Sequence, residues 1–271
     1  MTEVEVNRKA AARVASGHPW IYASDVVAHR DAAPGSVVRV VDPARKLLGI
    51  AHYSSTSQIT LRLLASRPEA VDAAFFRARI ERAWKFRQGV VRDTTAYRLV
   101  HGEADLLPAL VVDRYQDHLV LQTLDQGMDA AKAEIVEALG SLFSPAGIVE
   151  RNDAPVRARE NLPATVGVLA GQVPEEVEFE TNGLRLGARL LSGQKTGIFL
   201  DQRENYLAAR RFARGGAALD CFTYTGGFAL HLAAASTSIE AVDTSAEALD
   251  MARANAARNA IANVDFRQAD V

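Results

Sequence analysis

Three aspartates and a glycine-containing turn carry the clearest chemical signal in the sequence. Asp220, Asp243 and Asp270 each close a short apolar run of the kind that forms a strand. The turn TYTGG, residues 223–227, follows the first of these runs. Because ligands of open parallel sheets bind beyond the carboxyl ends of the strands, these residues predict a ligand site at one edge of a sheet.

The residue types favour a nucleoside ligand. A carboxylate such as Asp243 can accept hydrogen bonds from both hydroxyls of a ribose, and Asp270 can accept one from an exocyclic amine such as that of adenine. Gly226 and Gly227 allow backbone amides to approach a ligand closely. The sequence therefore predicts a site for an adenosine-like group.

The sequence of the glycine-containing turn distinguishes a dinucleotide from other nucleoside ligands. A dinucleotide site would require the pattern G-x-G-x-x-G, which cradles a pyrophosphate. The sequence has FTYTGGF, and so better fits S-adenosylmethionine, which has no pyrophosphate. A turn that needs glycine only for packing is the alternative. Thr244 is predicted to cap the next helix, with Glu247 completing a capping box.

An α/β region must position these residues, and two other regions precede it. From residue 191 onward, apolar strand segments alternate with helical segments, which predicts a parallel sheet. Residues 1–66 have short β-branched runs between turn residues and predict a small all-β module, a barrel. Residues 67–190 predict an α+β domain with a helix over about residues 129–143. Asn182-Gly183 within this domain favours a type I′ hairpin turn. The expected fold is multidomain, with an incomplete α/β domain from residue 191 to residue 271.

The composition is that of a folded protein from a reducing, cytoplasmic setting. Apolar residues make up 48% of the chain and charged residues 24%, which is ordinary globular usage. The single cysteine, Cys221, excludes an intrachain disulfide framework, and no spacing of Cys and His predicts a metal site. No apolar run is long enough to span a bilayer, so no membrane partner is expected.

The charge distribution suggests that a polyanion approaches the first part of the chain. Residues 1–110 carry 16 basic and 11 acidic residues, whereas residues 111–271 carry 15 and 22. Three alternatives stay open. The uneven charge could arise by chance, the helix over residues 72–90 could be solvated without contacting RNA, and Trp20 could be a core residue instead of part of a contact surface. The candidate RNA contacts are the cations near the segment GHPWIY and those on the helix, namely Arg8, Lys9, Arg13, Arg79, Arg82 and Lys85.

Several longer motifs resemble one family. They are GHPWIY near the start, EADLLPALVVDRY, ERNDAPVRARE, KTGIFLDQRENY, DCFTYTGGFAL and VDTSAEALDMARANAARN. These segments resemble the RlmI-type ribosomal RNA large-subunit methyltransferases over nearly the whole chain. The resemblance implies an N-terminal PUA domain, a central α+β domain and a Rossmann-like methyltransferase domain. It also implies 5-methylcytosine formation in 23S rRNA with S-adenosylmethionine as cofactor.

The resemblance also implies roles for individual residues. Asp243 would take the ribose of the cofactor and Asp270 its adenine, and Asp220 and Thr244 would lie in the same site. The residues expected around the methionine end are Phe222, Thr223, Tyr224, Thr225, Gly226 and Gly227. The segment KTGIFLDQR, residues 195–203, would close over the cofactor, with Lys195, Gln202 or Arg203 near the cofactor's carboxylate. Arg203 could equally pair with Glu204 or Asp201 on the surface.

The sequence departs from the family where the methyl acceptor would be activated. Methylation at cytosine C5 needs a thiolate that adds at C6, and the family's cysteine lies beyond the third strand. Here Asp270 is followed only by Val271. We therefore expect an N-terminal portion that is inactive alone, with no catalytic residue in this chain and with Cys221 as a small core residue.

Three questions stay open at this point. An N2-guanine or other RNA methyltransferase would share the same cofactor motifs, because the residues that select the methylated atom are not among them. A non-catalytic RNA-binding protein is the alternative from a different class. Ribosomal RNA is the expected partner in either case, and a homodimer is not decided by the sequence.

Overall fold

The computed structural model describes residues 1–271, which form two compact units. The first unit comprises residues 1–90, 98–113 and 117–172, and the second comprises residues 91–97, 114–116 and 173–271. Residues 173–190, which the sequence placed with the central domain, belong to the second unit. The division into three domains at residues 66 and 190 stays a prediction. No helix is both long and apolar enough to cross a bilayer.

The first unit begins with a six-stranded sheet. Its elements are β1 (Glu3–Val6), α1 (Arg8–Ala15), β2 (Trp20–Tyr22), β3 (Val26–Ala28), β4 (Val37–Val41), β5 (Leu47–Tyr53) and β6 (Ile59–Ala65). The strand order is β2-β6-β5-β4-β1-β3, and β1 pairs parallel with β4. This order is linear, so closure into a barrel stays a prediction. Alternating apolar residues such as Val4, Val38 and Val40 build its core.

The sequence predicted an all-β module for residues 1–66, and this prediction was wrong at residues 8–15, which form helix α1. The side chain of Asn7 accepts a hydrogen bond from the amide of Ala10 at 2.8 Å and caps the helix. The segment RKAAARVA that follows is alanine-rich and has a high intrinsic helix propensity. The cap and the propensity together are the signal for α1.

The rest of the first unit is α+β, as the sequence predicted. Its elements are α2 (Ala73–Val90), β7 (Ala96–His101), β8 (Leu110–Tyr115), β9 (His118–Thr123), α3 (Gln126–Ala130), α4 (Lys132–Phe143), β10 (Gly147–Asn152) and β11 (Thr165–Gly171). The first two residues of β7 and the last two of β8 are counted with the second unit. They form a five-stranded sheet in the order β11-β10-β9-β8-β7. The single helix expected over residues 129–143 is two helices, because Asp125 caps an additional turn through the amide of Met128.

Buried charges connect the N-terminal sheet to the elements that follow it within the first unit. Nη2 of Arg62, on β6, donates to Oε1 of Glu160 at 2.9 Å, and Nη1 lies 3.5 Å from Oδ2 of Asp125. The Ser54 hydroxyl donates to the other oxygen of Glu160 at 2.6 Å. All of these side chains are buried. Arg62 is therefore the counter-charge of two carboxylates that water cannot reach.

The same region holds a buried imidazole. His52 on β5 packs against Gly127 of α3 so closely that a Cβ on Gly127 would lie 2.0 Å from the ring. Burial lowers the pKa of His52 to about 4, since the charged ring would lose its hydration. Burial also raises the pKa of Asp125 to about 6, and the attraction of Arg62 only partly opposes this rise.

The second unit contains the predicted hairpin and the predicted parallel sheet. Its elements are β12 (Val177–Thr181), β13 (Leu184–Ala188), α5 (Arg203–Arg210), β14 (Ala217–Cys221), α6 (Gly227–Leu232), β15 (Ser238–Asp243), α7 (Ala246–Arg258) and β16 (Val264–Gln268). Positive φ angles at Asn182 (52°) and Gly183 (83°) confirm the type I′ turn. Strands β14, β15 and β16 pair in parallel in that order, so their carboxyl ends share one edge.

Replacing Arg62 with methionine tests the role of the buried charges. Arg62→Met leaves Glu160 and Asp125 without their counter-charge, so we expect it to lower the free energy of unfolding by about 3–5 kcal/mol. Urea titration measures the effect. Arg39→Met is the matched control, because Arg39 is a partly exposed arginine of the same sheet, 3.7 Å from Glu3, and we expect a change below about 1 kcal/mol. Equal effects would contradict the role of Arg62.

The raised pKa of Asp125 predicts a pH dependence of stability. Asp125 binds its proton more tightly in the folded chain than in the unfolded one, so its contribution to stability is present below about pH 4 and is lost as the pH rises through about 6. Asp125→Asn keeps an acceptor for the Met128 amide. Because the amide does not titrate, the variant does not lose this stability as the pH rises. Relative to wild type, the variant should therefore gain roughly 2–3 kcal/mol between about pH 4 and pH 7.

Urea unfolding at a series of pH values measures this difference. Asp31→Asn, at an exposed aspartate of the same unit, controls for the loss of a carboxyl group. A difference between Asp125→Asn and wild type that stays constant with pH would show that the Asp125 carboxyl titrates as it does in the unfolded chain.

Candidate cofactor site

The turn after β14 has a backbone that most residues avoid. Phe222, Tyr224 and Gly226 have φ angles of 62°, 49° and 86°. Positive φ is unfavourable for bulky side chains, and such residues concentrate at functional sites where the surroundings hold them. Phe222 is also 70% exposed, which is unusual for an aromatic side chain. The predicted turn is therefore present, and it is held in a strained conformation beyond the strand end.

Asp220 supports the turn from below. The residue is 8% exposed, and its Oδ2 accepts hydrogen bonds from the Thr223 hydroxyl at 2.6 Å and from the Ala229 amide at 3.0 Å. Burial raises its pKa, and the nearby charge of Asp243 adds to the rise. The expectation that Asp220 contacts a ligand finds no support in this geometry, because the carboxylate is buried and engaged by the turn and by α6.

Asp243, at the end of β15, faces the same turn from the side. Its Oδ2 accepts a hydrogen bond from the Tyr224 amide at 2.8 Å, and its Oδ1 accepts one from the Ser245 amide at 2.9 Å. The side chain is only half-buried. Asp243 thus fixes the turn and remains accessible, as a ligand-binding carboxylate must be.

The predicted capping box at the start of α7 was wrong by one residue. Ser245, not Thr244, is the N-cap, and its side chain accepts a hydrogen bond from the Ala248 amide at 3.2 Å. The box would need an acid at position 248, so Glu247 does not complete it. The Asp243 bond to the Ser245 amide explains the shift, because it keeps residue 244 in the loop.

A cavity of about 240 Å³ lies against the turn. Five of the residues that line it had no role predicted from the sequence, namely Leu186, Ile198, Phe199, Tyr206 and Phe228. Three of them are aromatic and lie within the motifs KTGIFLDQRENY and DCFTYTGGFAL, and these positions were the sequence signal for a role at the site. The predicted residues among its lining are Gln202, Phe222, Thr223, Tyr224, Thr225 and Gly227.

Aromatic packing shapes the floor of this cavity. The ring of Tyr206 meets Phe228 edge-on at 4.8 Å and stacks on His231 at 4.7 Å. A Cβ on Gly227 would lie 2.5 Å from the Tyr206 hydroxyl oxygen, so only glycine fits there. Burial raises the pKa of Tyr206 to about 12, and the charges of Asp201 and Asp220 act in the same direction. Tyr206 therefore presents a neutral ring.

Two tyrosine hydroxyls hold the loop of residues 192–199 next to the turn. The Tyr224 hydroxyl accepts a hydrogen bond from the Gln194 amide at 2.8 Å and donates one to the Gly197 carbonyl at 3.0 Å. The Tyr115 hydroxyl accepts a bond from the Ile198 amide at 3.2 Å. The Phe199 ring also meets Tyr224 edge-on at 5.6 Å. The loop contains the first part of the segment expected to close over a cofactor, and it is attached to the turn through Tyr224.

The three candidates for the cofactor carboxylate are placed differently. Gln202 lines the cavity. Lys195 does not, and its Nζ lies 4.2 Å from the Phe199 ring centre and 3.6 Å from Oδ1 of Asp201. Arg203 donates to the Arg92 carbonyl and to Oε1 of Glu204, both at 2.6 Å. The pairing of Arg203 with Glu204 is therefore present, so Arg203 has internal partners instead of facing the cavity.

A second, smaller cavity of about 90 Å³ shares Tyr224 and Thr225 with the first. Arg189 lines it, with Nη1 2.7 Å from Oε1 of Glu247. The Arg189 Nε is buried without a hydrogen-bond partner. Sequence analysis missed Arg189, which follows β13 and has no motif of its own.

Three further residues named in the sequence analysis, Asp270, Cys221 and Thr244, do not line the two cavities. Asp270 is exposed beyond β16 and lines neither of these two cavities. Cys221 is half-buried in β14, opposite Val242 in the sheet. The carbonyl of Thr244 accepts a bond from the Gln268 side chain at 2.9 Å. Roles for Thr244 and Asp270 in ligand binding stay predictions.

The six candidate RNA-contacting cations divide into two groups. Arg13 is bonded to the buried Asp25, Arg79 is bonded to the Leu106 carbonyl and stacks on Phe75, and Lys85 pairs with Glu81 at 2.6 Å. The bond from Arg13 lowers the pKa of Asp25. The exposed cations without such partners are Arg8, Lys9 and Arg82.

Comparison with known proteins agrees with the resemblance found in the sequence. Residues 4–66 match the model of a PUA-like domain. A ribosomal RNA large subunit methyltransferase I from Shewanella denitrificans is 39% identical over 263 residues, which are 94% of this chain and 66% of that relative. A relative of the same name from Shigella boydii is 37% identical over 262 residues, with the same coverage.

A solved structure agrees in fold. A protein described as a methyltransferase, in complex with SAH, superimposes with a TM-score of 0.85 at 24% identity, over 100% of this chain and 70% of that one. The chain spans about two thirds, 66%, of the length of the curated relatives it matches. With identity of 37–39% over 94% of its own length, the chain belongs to the family of the ribosomal RNA large subunit methyltransferase I proteins.

Proposed function

We propose that the second unit binds S-adenosylmethionine and that the protein methylates RNA of the large ribosomal subunit. The observation that carries the proposal is the strained turn of residues 222–227, held by Asp243 beside an aromatic cavity. The names of the relatives supply the RNA substrate, and the similar fold solved with SAH supports the cofactor.

The residues around the turn fit this cofactor. Each oxygen of Asp243 accepts one backbone amide, which leaves lone pairs for two ribose hydroxyls. Gly227 brings the backbone against the cavity where a Cβ would meet Tyr206. Asp270, beyond the third strand, would accept the adenine amine. Gln202, at the cavity, is the best placed of the three candidates for the methionine end.

The aromatic lining suits a positively charged sulfonium. S-adenosylmethionine would supply an electrophilic methyl group on that sulfonium. The rings of Phe199, Tyr224 and Phe228 line the cavity, and the Phe199 ring meets the Tyr224 ring edge-on at 5.6 Å. A cation near such rings is stabilised by about 0.5–2 kcal/mol. The same rings would exclude water from the methyl group of a bound cofactor.

We propose cytosine C5 as the methylated atom, on the family resemblance. This reaction needs a thiolate that adds at C6, and a base that removes the C5 proton before the thiolate leaves. Cys221 is the one thiol of these 271 residues, and its place within β14 suits sheet packing. We therefore propose that these residues supply cofactor and RNA binding and that the reactive thiol is not among them, so that this chain alone is inactive.

The PUA-like domain and the exposed cations Arg8, Lys9 and Arg82 would contribute to RNA binding. A ribosomal substrate agrees with the cytoplasmic setting expected from the composition. The homodimer left open by the sequence stays untested.

Titration calorimetry with S-adenosylmethionine and S-adenosylhomocysteine tests the cofactor proposal. Asp243→Asn should weaken binding roughly tenfold or more, because it removes a charged acceptor from the ribose and from one of the two amides. Asp265→Asn, at an exposed aspartate of β16, is the matched control and should bind as wild type does. The proposal fails if wild type binds neither compound.

Tyr224→Phe tests the attachment of the loop of residues 192–199. The variant keeps the ring but leaves the Gln194 amide and the Gly197 carbonyl without their partner. We expect faster hydrogen exchange of the Gln194 amide and roughly five- to tenfold weaker cofactor binding, since an unmade bond of this kind costs about 1 kcal/mol or more. Tyr97→Phe, at a half-buried tyrosine of the same unit, should change neither. Unchanged exchange in Tyr224→Phe would contradict the attachment.

A further inference from the structure

Another cavity lies in the first unit, on the surface of α2, and has no part in the cofactor site. Its volume is about 320 Å³, at the small end of the range of about 300–1,000 Å³ typical of ligand pockets. We call it the α2 site. Its lining consists of Arg82, Ala83, Phe86, Arg87, Ala104, Asp105 and Leu106.

The apolar walls of the α2 site are exposed, and a side-chain hydrogen bond holds the backbone of the segment that carries Leu106. Phe86 is 62% exposed and Leu106 is 49% exposed. Leu106 has a φ of 59°, and the hydrogen bond from Arg79 to its carbonyl holds this unusual backbone. The guanidinium of Arg87 lies 5.5 Å from the Phe86 ring centre and donates to Oδ2 of Asp105 at 2.6 Å. A flat ring could therefore enter between walls that are already formed.

The charge around the α2 site favours a polyanion. Helix α2 carries five basic residues and one acid, Glu81, which Lys85 already pairs at 2.6 Å. The carboxylate of Asp105 is neutralised by Arg87. Arg82 stands one helical turn before Phe86, is exposed and has no ionic partner. A second copy of this chain would bring the same cations to the contact, which would repel.

An exposed aromatic ring beside an arginine is a common arrangement for a single-stranded nucleic acid. Unpaired bases stack on aromatic side chains, whereas the bases of a duplex are not available for stacking. An arginine one turn away can then contact the phosphate that follows the stacked base.

We propose that the α2 site binds an unpaired RNA base, stacked on Phe86 against Leu106, with Arg82 on the adjacent phosphate. This inference rests on the proposed function, since it takes RNA as the substrate, and it specifies which feature of the RNA the first unit recognises. The proposal also changes the predicted RNA contacts of α2. Arg79 and Lys85 have partners within the protein, and Phe86 takes their place as an RNA contact.

Binding of a single-stranded RNA oligonucleotide that carries one 2-aminopurine tests the proposal on the full 271-residue chain. Stacking on Phe86 should quench the 2-aminopurine fluorescence. Phe86→Ala should weaken binding roughly 5- to 150-fold and abolish the quenching. Phe86→Tyr keeps an aromatic ring, so its affinity and quenching should match those of wild type. Arg82→Gln should weaken binding and reduce the slope of log affinity against log salt by about one.

Phe212→Ala and Arg214→Gln are matched controls, because both residues are exposed in the second unit and line none of the three described cavities. Equal affinities of Phe86→Ala and Phe212→Ala would overturn the proposal, as would a wild type that does not bind the single strand. A change of the monomer–dimer equilibrium in Phe86→Ala, seen by sedimentation, would assign the α2 site to a second copy instead. Titration of each variant with S-adenosylhomocysteine keeps a failure of the cofactor proposal separate from these outcomes.

Discussion

Two carboxylates at adjacent strand ends hold the turn on which the second unit's site depends. The turn has positive φ at Phe222 and Tyr224, where aromatic residues are strained, and it keeps this shape because Asp243 bonds the Tyr224 amide and Asp220 bonds the Thr223 hydroxyl. Each acid also bonds an amide of the helix that follows its own strand, at Ala229 or at Ser245. The two aspartates therefore position the turn and the starts of α6 and α7 together.

The two aspartates differ in burial, and this difference separates their roles. Asp220 is buried, and its raised pKa shows that its surroundings disfavour the charge. Asp243 is half-buried and accepts only one amide on each oxygen, so it can still accept ligand hydroxyls. One acid of the pair thus stabilises the loop, and the other can do so while contacting a nucleoside. A sequence motif with two aspartates cannot show which is which.

Much of the second unit was predictable because its signals are local. The Asn182-Gly183 turn, the parallel strands and the glycine turn all follow from short patterns of residues. Contacts between distant segments were not predictable. Tyr206 beneath Gly227, Tyr115 on the loop of residues 192–199, and Arg189 at the smaller cavity depend on how separate elements pack. The cap at Ser245 was misplaced for the same reason, since a bond from Asp243 decides it.

The first unit shows why counting charges overstates a basic surface. Arg13, Arg79 and Lys85 contribute to the positive charge of the sequence, yet each has a partner within the protein and would lose that contact on binding a phosphate. Arg62 contributes as well, although it is buried between two carboxylates. What a polyanion meets is set by the cations left without partners, such as Arg8, Lys9 and Arg82. Because Arg82 lies one turn from an exposed phenylalanine, the surface of α2 combines a charge with a stacking face, and this combination distinguishes it from a merely solvated helix.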